Sequence, residues 1–155
     1  MSGLPLKLKI YLALIYLAGA FFLIFGLLTA EPPPLLSLLL FIFLANIAET
    51  FPVLLPNQAK ISVSFTIWFA SMLLFGPAYA AVVGFFSAFN YFEIVVDHRP
   101  FYKVIFNAFN HALSAGIAGY VYFMLGGPIG HITSARFPRV LSPLVLSAVV
   151  SYLVN

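Results

Sequence analysis

Charge is what this chain has least of. Asp, Glu, Lys and Arg make up 7% of its 155 residues, against about 25% in an ordinary soluble domain. A water-facing globule of this size needs a polar coat over much of its surface, and 7 basic and 4 acidic side chains do not supply one. Cysteine is absent, which removes disulfides, thiolate metal sites and cysteine nucleophiles. The net charge is only +3 and sits at the ends of apolar runs. That placement argues against a nucleic-acid partner and fits basic residues that set membrane topology. Segments of about ten residues with alternating polarity, the mark of a transmembrane β-barrel, are missing too. There is no nucleophile elbow, phosphate loop or zinc-protease motif, and no His-x-x-x-His or Glu-x-x-His. The chain is therefore read as a non-enzyme with no catalytic residue, no metal site and no specified cofactor.

Hydrophobic residues fill the space that charge leaves. They are 63% of the chain, and the mean hydropathy is +1.10. The apolar runs are continuous over about 15–23 residues, which is the length of membrane-crossing helices rather than strands. Lys7 and Lys9 precede the first run, as they would in a signal peptide. Ile10 to Ala30 is longer than the usual h-region of about 7–15 residues, so it is read as a retained helix.

Six spans are expected, at about 10–30, 35–51, 61–75, 78–96, 101–125 and 140–155. Pro32-Pro33-Pro34 ends the first, because consecutive prolines cannot continue a helix. Pro52 and Pro56 close the second, and Gly76-Pro77 is a tight-turn signal after the third. Asp97-His98-Arg99-Pro100 and the glycine-rich stretch from Gly126 to Gly130 separate the rest. The expected fold class is all-α: a single six-transmembrane-helix bundle over residues 1–155, whose short last span reads as running on into a longer chain. With the N-terminus in the cytoplasm, Lys7, Lys9, Lys60, Arg99 and Lys103 lie inside and Arg136 and Arg139 outside. That balance expects a multi-pass protein of the plasma (inner) membrane with both termini cytoplasmic.

Polar residues inside spans are costly, so each is a candidate for function. Span two carries Asn46 and Glu49, and span four Asn90 and Glu93. Each pair is spaced i, i+3 and shares a helix face. Span five carries Asn107, Asn110, His111 and Ser114, offsets that make one continuous stripe. On the expected topology all lie toward the cytoplasmic side. Asn46, Glu49, Asn90, Glu93, Asn107, Asn110 and His111 are the candidate ligand-binding set, for a small polar molecule or an ion. The plainer reading is that the carboxylates reach headgroups and the asparagines glue helix to helix, at about 0.6 kcal/mol each. Ala112 with Gly116, and Ala115 with Gly119, give small-xxx-small spacing for close helix approach, within the chain first and in a homodimer second. Ser62, Ser64 and Thr66 suit the capping of span three. Trp68 is the sole tryptophan and carries no reading at this level.

Four stretches carry a family resemblance: Ile61-Ser62-Val63-Ser64-Phe65, Leu74-Phe75-Gly76-Pro77, Tyr102-Lys103-Val104-Ile105-Phe106-Asn107, and Ala112 to Gly119. On these stretches the run from Asn46 to Gly127 resembles the membrane-embedded N-terminal domains that precede HD-type phosphohydrolase and diguanylate cyclase modules in thermophilic and anaerobic bacteria. The resemblance implies a sensory input domain whose partners are the lipid bilayer, a small ligand and a cytoplasmic signalling module C-terminal to it. A proline-rich approach to span three and the Gly-Pro turn after it also resemble the substrate-binding components of energy-coupling-factor vitamin transporters. Those carry Ala-x-x-x-Ala in their first helix, whereas Ala13, Ala18, Ala20 and Ala30 here are nowhere four apart. A structural anchor in the membrane is the third reading.

Overall fold

Proline begins most of the helices. In a computed structural model, which describes residues 5–51, 53–54, 60–91, 94–95, 98–130 and 137–155, α1 spans Leu6–Thr29 and α2 Leu35–Thr50. A two-residue antiparallel pair follows, β1 (Val53–Leu54) with β2 (Lys60–Ile61). Then come α3 (Ser64–Phe75), α4 (Pro77–Ser87), α5 (Phe101–Met124) and α6 (Phe137–Val154). Pro5, Pro34 and Pro100 sit at the N-caps of α1, α2 and α5, and Pro77 is the first residue of α4. Proline has no N–H to satisfy there, and its fixed φ suits the first helical turn. Only Gly76 separates α3 from α4. Its φ of 90° is a conformation that glycine alone adopts without strain.

Side-chain contacts set the directions of the helices. Pro77 at the start of α4 meets Gly119 near the end of α5, and Gly84 meets His111 and Ala115, so α4 and α5 are antiparallel. The Tyr16 hydroxyl donates to the Tyr102 carbonyl at 2.9 Å, and Phe22 lies against Gly116, so α1 runs parallel to α5. Asn46 of α2 reaches the Phe86 carbonyl at the end of α4. Ser64 at the start of α3 reaches Glu49 at the end of α2. Ser151 and Asn155 meet Ser114 and Asn110. Direction therefore alternates from α1 through α6. The central pair is α4 and α5; α1 lies across both, α2 and α3 flank α4, and α6 packs on α5.

The polarity gradient runs opposite to that of a water-soluble protein. The buried positions are mostly small or hydroxylated: Ala45, Ala80, Ala108, Ala112 and Ala115, with Ser64, Ser71, Ser87, Ser114 and Ser147. The large apolar side chains point outward. Leu28 is 80% exposed, Leu36 82% and Leu153 76%. The small-residue stripe of α5 is taken up inside the chain, by Pro77, Ala81 and Phe22.

The expectation of six spans meets six α-helices among the described residues, but their lengths differ from it. Two of them, α1 and α6, are long and apolar enough to cross a membrane. The fifth helix has the 24 residues of α1 but carries the Asn and His stripe. The 12 residues of α3 and 11 of α4 rise about 18 Å and 17 Å, short of a hydrocarbon core of about 30 Å. The fourth span was expected to reach residue 96, and α4 stops at Ser87. There the Ser87 hydroxyl bonds back to the Gly84 carbonyl at 2.7 Å, and Asn46 takes the Phe86 carbonyl at 3.0 Å. The Phe86 carbonyl also accepts the Phe89 N–H at 3.2 Å, so the helix closes on a tighter three-residue turn.

Candidate functional site

The C-terminal end of α2, the start of α3, the middle of α5 and the last turns of α6 surround a cavity of about 460 Å³. Small-molecule sites run to about 300–1,000 Å³. From α3 come Ser64, Phe65, Trp68 and Phe69; from α6 come Ala148, Ser151 and Tyr152, with Asn155 just past its end. Offsets of 1, 4 and 5 along α3, and of 0, 3 and 4 along α6, each put one face of a helix on the wall. Glu49, Ser62 and His111 complete it. The cavity is a wedge. Its α6 side is anchored to α5, and its α3 side to α4 and α2.

Glu49 is fixed by the junction between α2 and α3. The Ser64 hydroxyl donates to its Oε1. The Ser62 hydroxyl oxygen accepts from the Ser64 N–H at 3.1 Å and donates to the Ala48 carbonyl at 3.5 Å. This ties the end of one helix to the start of the next. It also puts a carboxylate at the α3 N-terminus, where the helix dipole favours negative charge.

His111 lies across the Trp68 ring, with centroids 4.7 Å apart. Its Nδ1 is 3.3 Å from the Ser87 hydroxyl oxygen. The Ser87 hydroxyl already donates to Gly84, so the network assigns the proton to Nδ1, which donates to Ser87. In the neutral ring Nε2 is then an acceptor, and it makes no hydrogen bond among the described residues. Trp68 itself is 3% exposed. Its indole N–H is a buried side-chain donor without a partner among the described residues. Buried donors are nearly always satisfied, so this N–H is an exception within the core beside the cavity.

The seven residues singled out in the sequence separate in space. Glu49 and His111 share the cavity. Asn110 acts on it at one remove, donating to the Asn155 side-chain oxygen at 2.8 Å. Asn46 is a backbone clasp: its amide donates to the Ile42 and Phe86 carbonyls, each at 3.0 Å. Asn90 is buried away from the cavity lining. Asn107 is half-buried and also off the lining. Glu93 lies outside the described residues. Sequence reasoning missed Phe65, Trp68 and Phe69, along with Ser151, Tyr152 and Asn155. The aromatic i, i+3, i+4 spacing of the first three was visible, but it looks the same on a lipid-facing helix. Among the described residues no group of three His, Cys, Asp or Glu side chains could hold a metal ion.

Chemically, the described lining brings the Glu49 carboxylate, the His111 imidazole and an aromatic wall to the cavity. No family model, curated protein or solved structure matches this chain, so its function is argued from this cavity and from the helices that build it.

Proposed function

We propose that the chain is a six-helix domain embedded in a bacterial plasma membrane, and that it serves as a sensory input domain binding a small molecule in the cavity between α3 and α6. Membrane embedding is supported by the outward-facing leucines and phenylalanines, the small and hydroxylated interior, and the alternation of helix direction. Each crossing reverses the chain, as a multi-pass protein requires. The short α3 and α4 fit this setting because α1, α2 and α5 pack around them. Helices that end partway through a bilayer are tolerated where protein surrounds them, and such ends often build binding sites.

The observation that carries the reading is the convergence of Glu49, His111 and Trp68 on one cavity with α6 as its far wall. A half-buried carboxylate and a half-buried imidazole beside a buried tryptophan at one cavity are more than helix adhesion needs. A molecule touching both α3 and α6 binds with different affinity to different placements of α6, and that difference is what shifts a conformational equilibrium. The movement would pass along α6 to a cytoplasmic signalling module of the phosphohydrolase or cyclase kind that the sequence resemblance implies.

The absence of cysteine makes the test direct. Spin labels are placed at Leu74→Cys on α3 and Leu153→Cys on α6, both exposed positions. Their separation is measured in lipid nanodiscs against a panel of amines, carboxylates and sugars. A sensor shows a ligand-dependent change in the distance distribution. An unchanged distribution with every compound defeats the sensory reading, and uptake of a bound compound into proteoliposomes would replace it with a transport component.

A further inference from the structure

We infer that the cavity takes an uncharged aromatic molecule bearing a ring hydroxyl, a phenol, which donates its hydrogen bond to His111 Nε2. This rests on the binding reading above and adds the chemical class of the ligand.

Most polar side chains of the lining are engaged by the fold itself. Ser62 bonds to Ala48, Ser64 to Glu49 and Ser151 to Ser114, and the Asn155 side-chain oxygen accepts from Asn110. Glu49 is held through a further interaction besides Ser64. A charged ligand leaving water needs several polar partners at once, and these groups already have neighbours to serve. An uncharged ligand makes no such demand.

His111 stands apart from them. Its Nδ1 donates to Ser87, which donates in turn to the Gly84 carbonyl. That order makes Nε2 an acceptor, and hydrogen bonds aligned in a chain strengthen one another. Nε2 makes no hydrogen bond among the described residues. Yet the one sealed, partnerless polar side-chain atom among them is the Trp68 N–H, so Nε2 is not shut in the core. The ring that carries it lines the cavity. A single reachable acceptor calls for a single donor.

The wall sets the rest of the ligand. Phe65 and Phe69 come from α3 and Tyr152 from α6, and the two phenylalanines stand edge to face, with centroids 6.5 Å apart. Aromatic rings gain from stacked and edge-on contacts beyond the area they bury. A flat ring between α3 and α6 meets aromatic side chains from both helices. An aliphatic alcohol would serve Nε2 but forgo those contacts, and an aromatic ether would make the contacts but leave Nε2 without its donor.

Those two shortfalls define the experiment. The full chain is reconstituted in phosphatidylglycerol nanodiscs and titrated with 4-propylphenol, its methyl ether 4-propylanisole, and 4-propylcyclohexanol. Trp68, the single tryptophan and part of the lining, reports binding when excited at the red edge of the indole band, where the probes do not absorb. Affinities are compared at equal concentrations in the bilayer, because the probes partition differently. The phenol should shift the emission saturably and bind at least about fivefold more tightly than either comparison compound. Ala148→Phe, at an exposed position in the lining, should abolish the saturable response. His111→Phe should bind the phenol and the ether alike; should that variant not fold, the three probes on the unchanged chain still decide the matter. Equal binding of the ether or of the cyclohexanol by the parent chain overturns the phenol inference and leaves the binding reading standing. So does a phenol preference that survives in folded His111→Phe, or a saturable response that survives in Ala148→Phe. No response to the phenol overturns it as well, and no response to these probes or to any compound of the wider panel overturns both.

Discussion

Gly119→Ala is the most direct probe of how the bundle is held together. A Cβ at this position would lie 2.8 Å from the Pro77 Cα and 2.9 Å from the Pro77 Cβ. Unbonded carbons rest at about 3.5–4.0 Å, so the shortfall is roughly 0.7 Å or more. The obstacle is largely backbone. Pro77 opens α4, and the glycine before it has a φ of 90°, so the turn has little freedom to yield. Relief requires α5 to move away from α4. Overpacking of this kind costs about 1–3 kcal/mol. It is partly offset by about 0.5–1 kcal/mol from the better helix propensity of alanine. The net expectation is a loss of about 1–2 kcal/mol, a fall of about five- to thirty-fold in the folded-to-unfolded ratio.

Gly116→Ala, one helical turn earlier, is the paired control. Its Cβ would meet the Phe22 ring edge at 3.1 Å and the Ala81 Cβ at 3.4 Å. A phenylalanine ring on the more exposed α1 turns aside more cheaply than a proline backbone does. Gly116→Ala should be neutral, or stabilising by up to about 1 kcal/mol through propensity alone. Both variants are followed by Trp68 emission during denaturant titration in one detergent. Gly119→Ala as stable as the parent, or Gly116→Ala the more damaging of the two, would refute the packing assigned to α5.

Two further outcomes follow from the polar contacts. Asn46→Leu removes the clasp on the Phe86 carbonyl and should lower stability by about 0.6–1.7 kcal/mol, with hydrogen exchange rising at the end of α4; an unchanged unfolding curve would mean that the clasp contributes nothing. For Ser114 and Ser151, whose hydroxyl oxygens are 2.9 Å apart, a double-alanine cycle should return a coupling of about 0.6 kcal/mol. Strict additivity would show that α6 is placed on α5 by shape alone.

The helices were largely legible because their signals are local. Proline withholds a donor wherever it stands, so Pro34, Pro77 and Pro100 mark helix starts without reference to any neighbour. The apolar runs and the scarcity of charge likewise needed no partner to be read. The end of α4 was not legible. Nothing in Phe85 to Phe89 forbids another turn; the helix closes where the Phe86 carbonyl accepts the Phe89 N–H together with the amide of Asn46, 40 positions away in sequence.

The candidate site divides along the same line. Glu49 and His111 stood out because polar side chains within apolar helices are costly in any arrangement. Asn46 and Asn110 stood out for the same reason, yet their amides are engaged with Ile42, Phe86 and Asn155. Trp68 attracted no reading as one aromatic among many. It became central when α5 brought His111 against its ring and α6 closed the other side of the cavity. Helix location, polarity and turn chemistry reside in short stretches of chain, so they are open to a reader of residues. Which polar group is held by a partner, and which side chains line a cavity, depends on groups far apart in sequence, and only the packed helices bring those together.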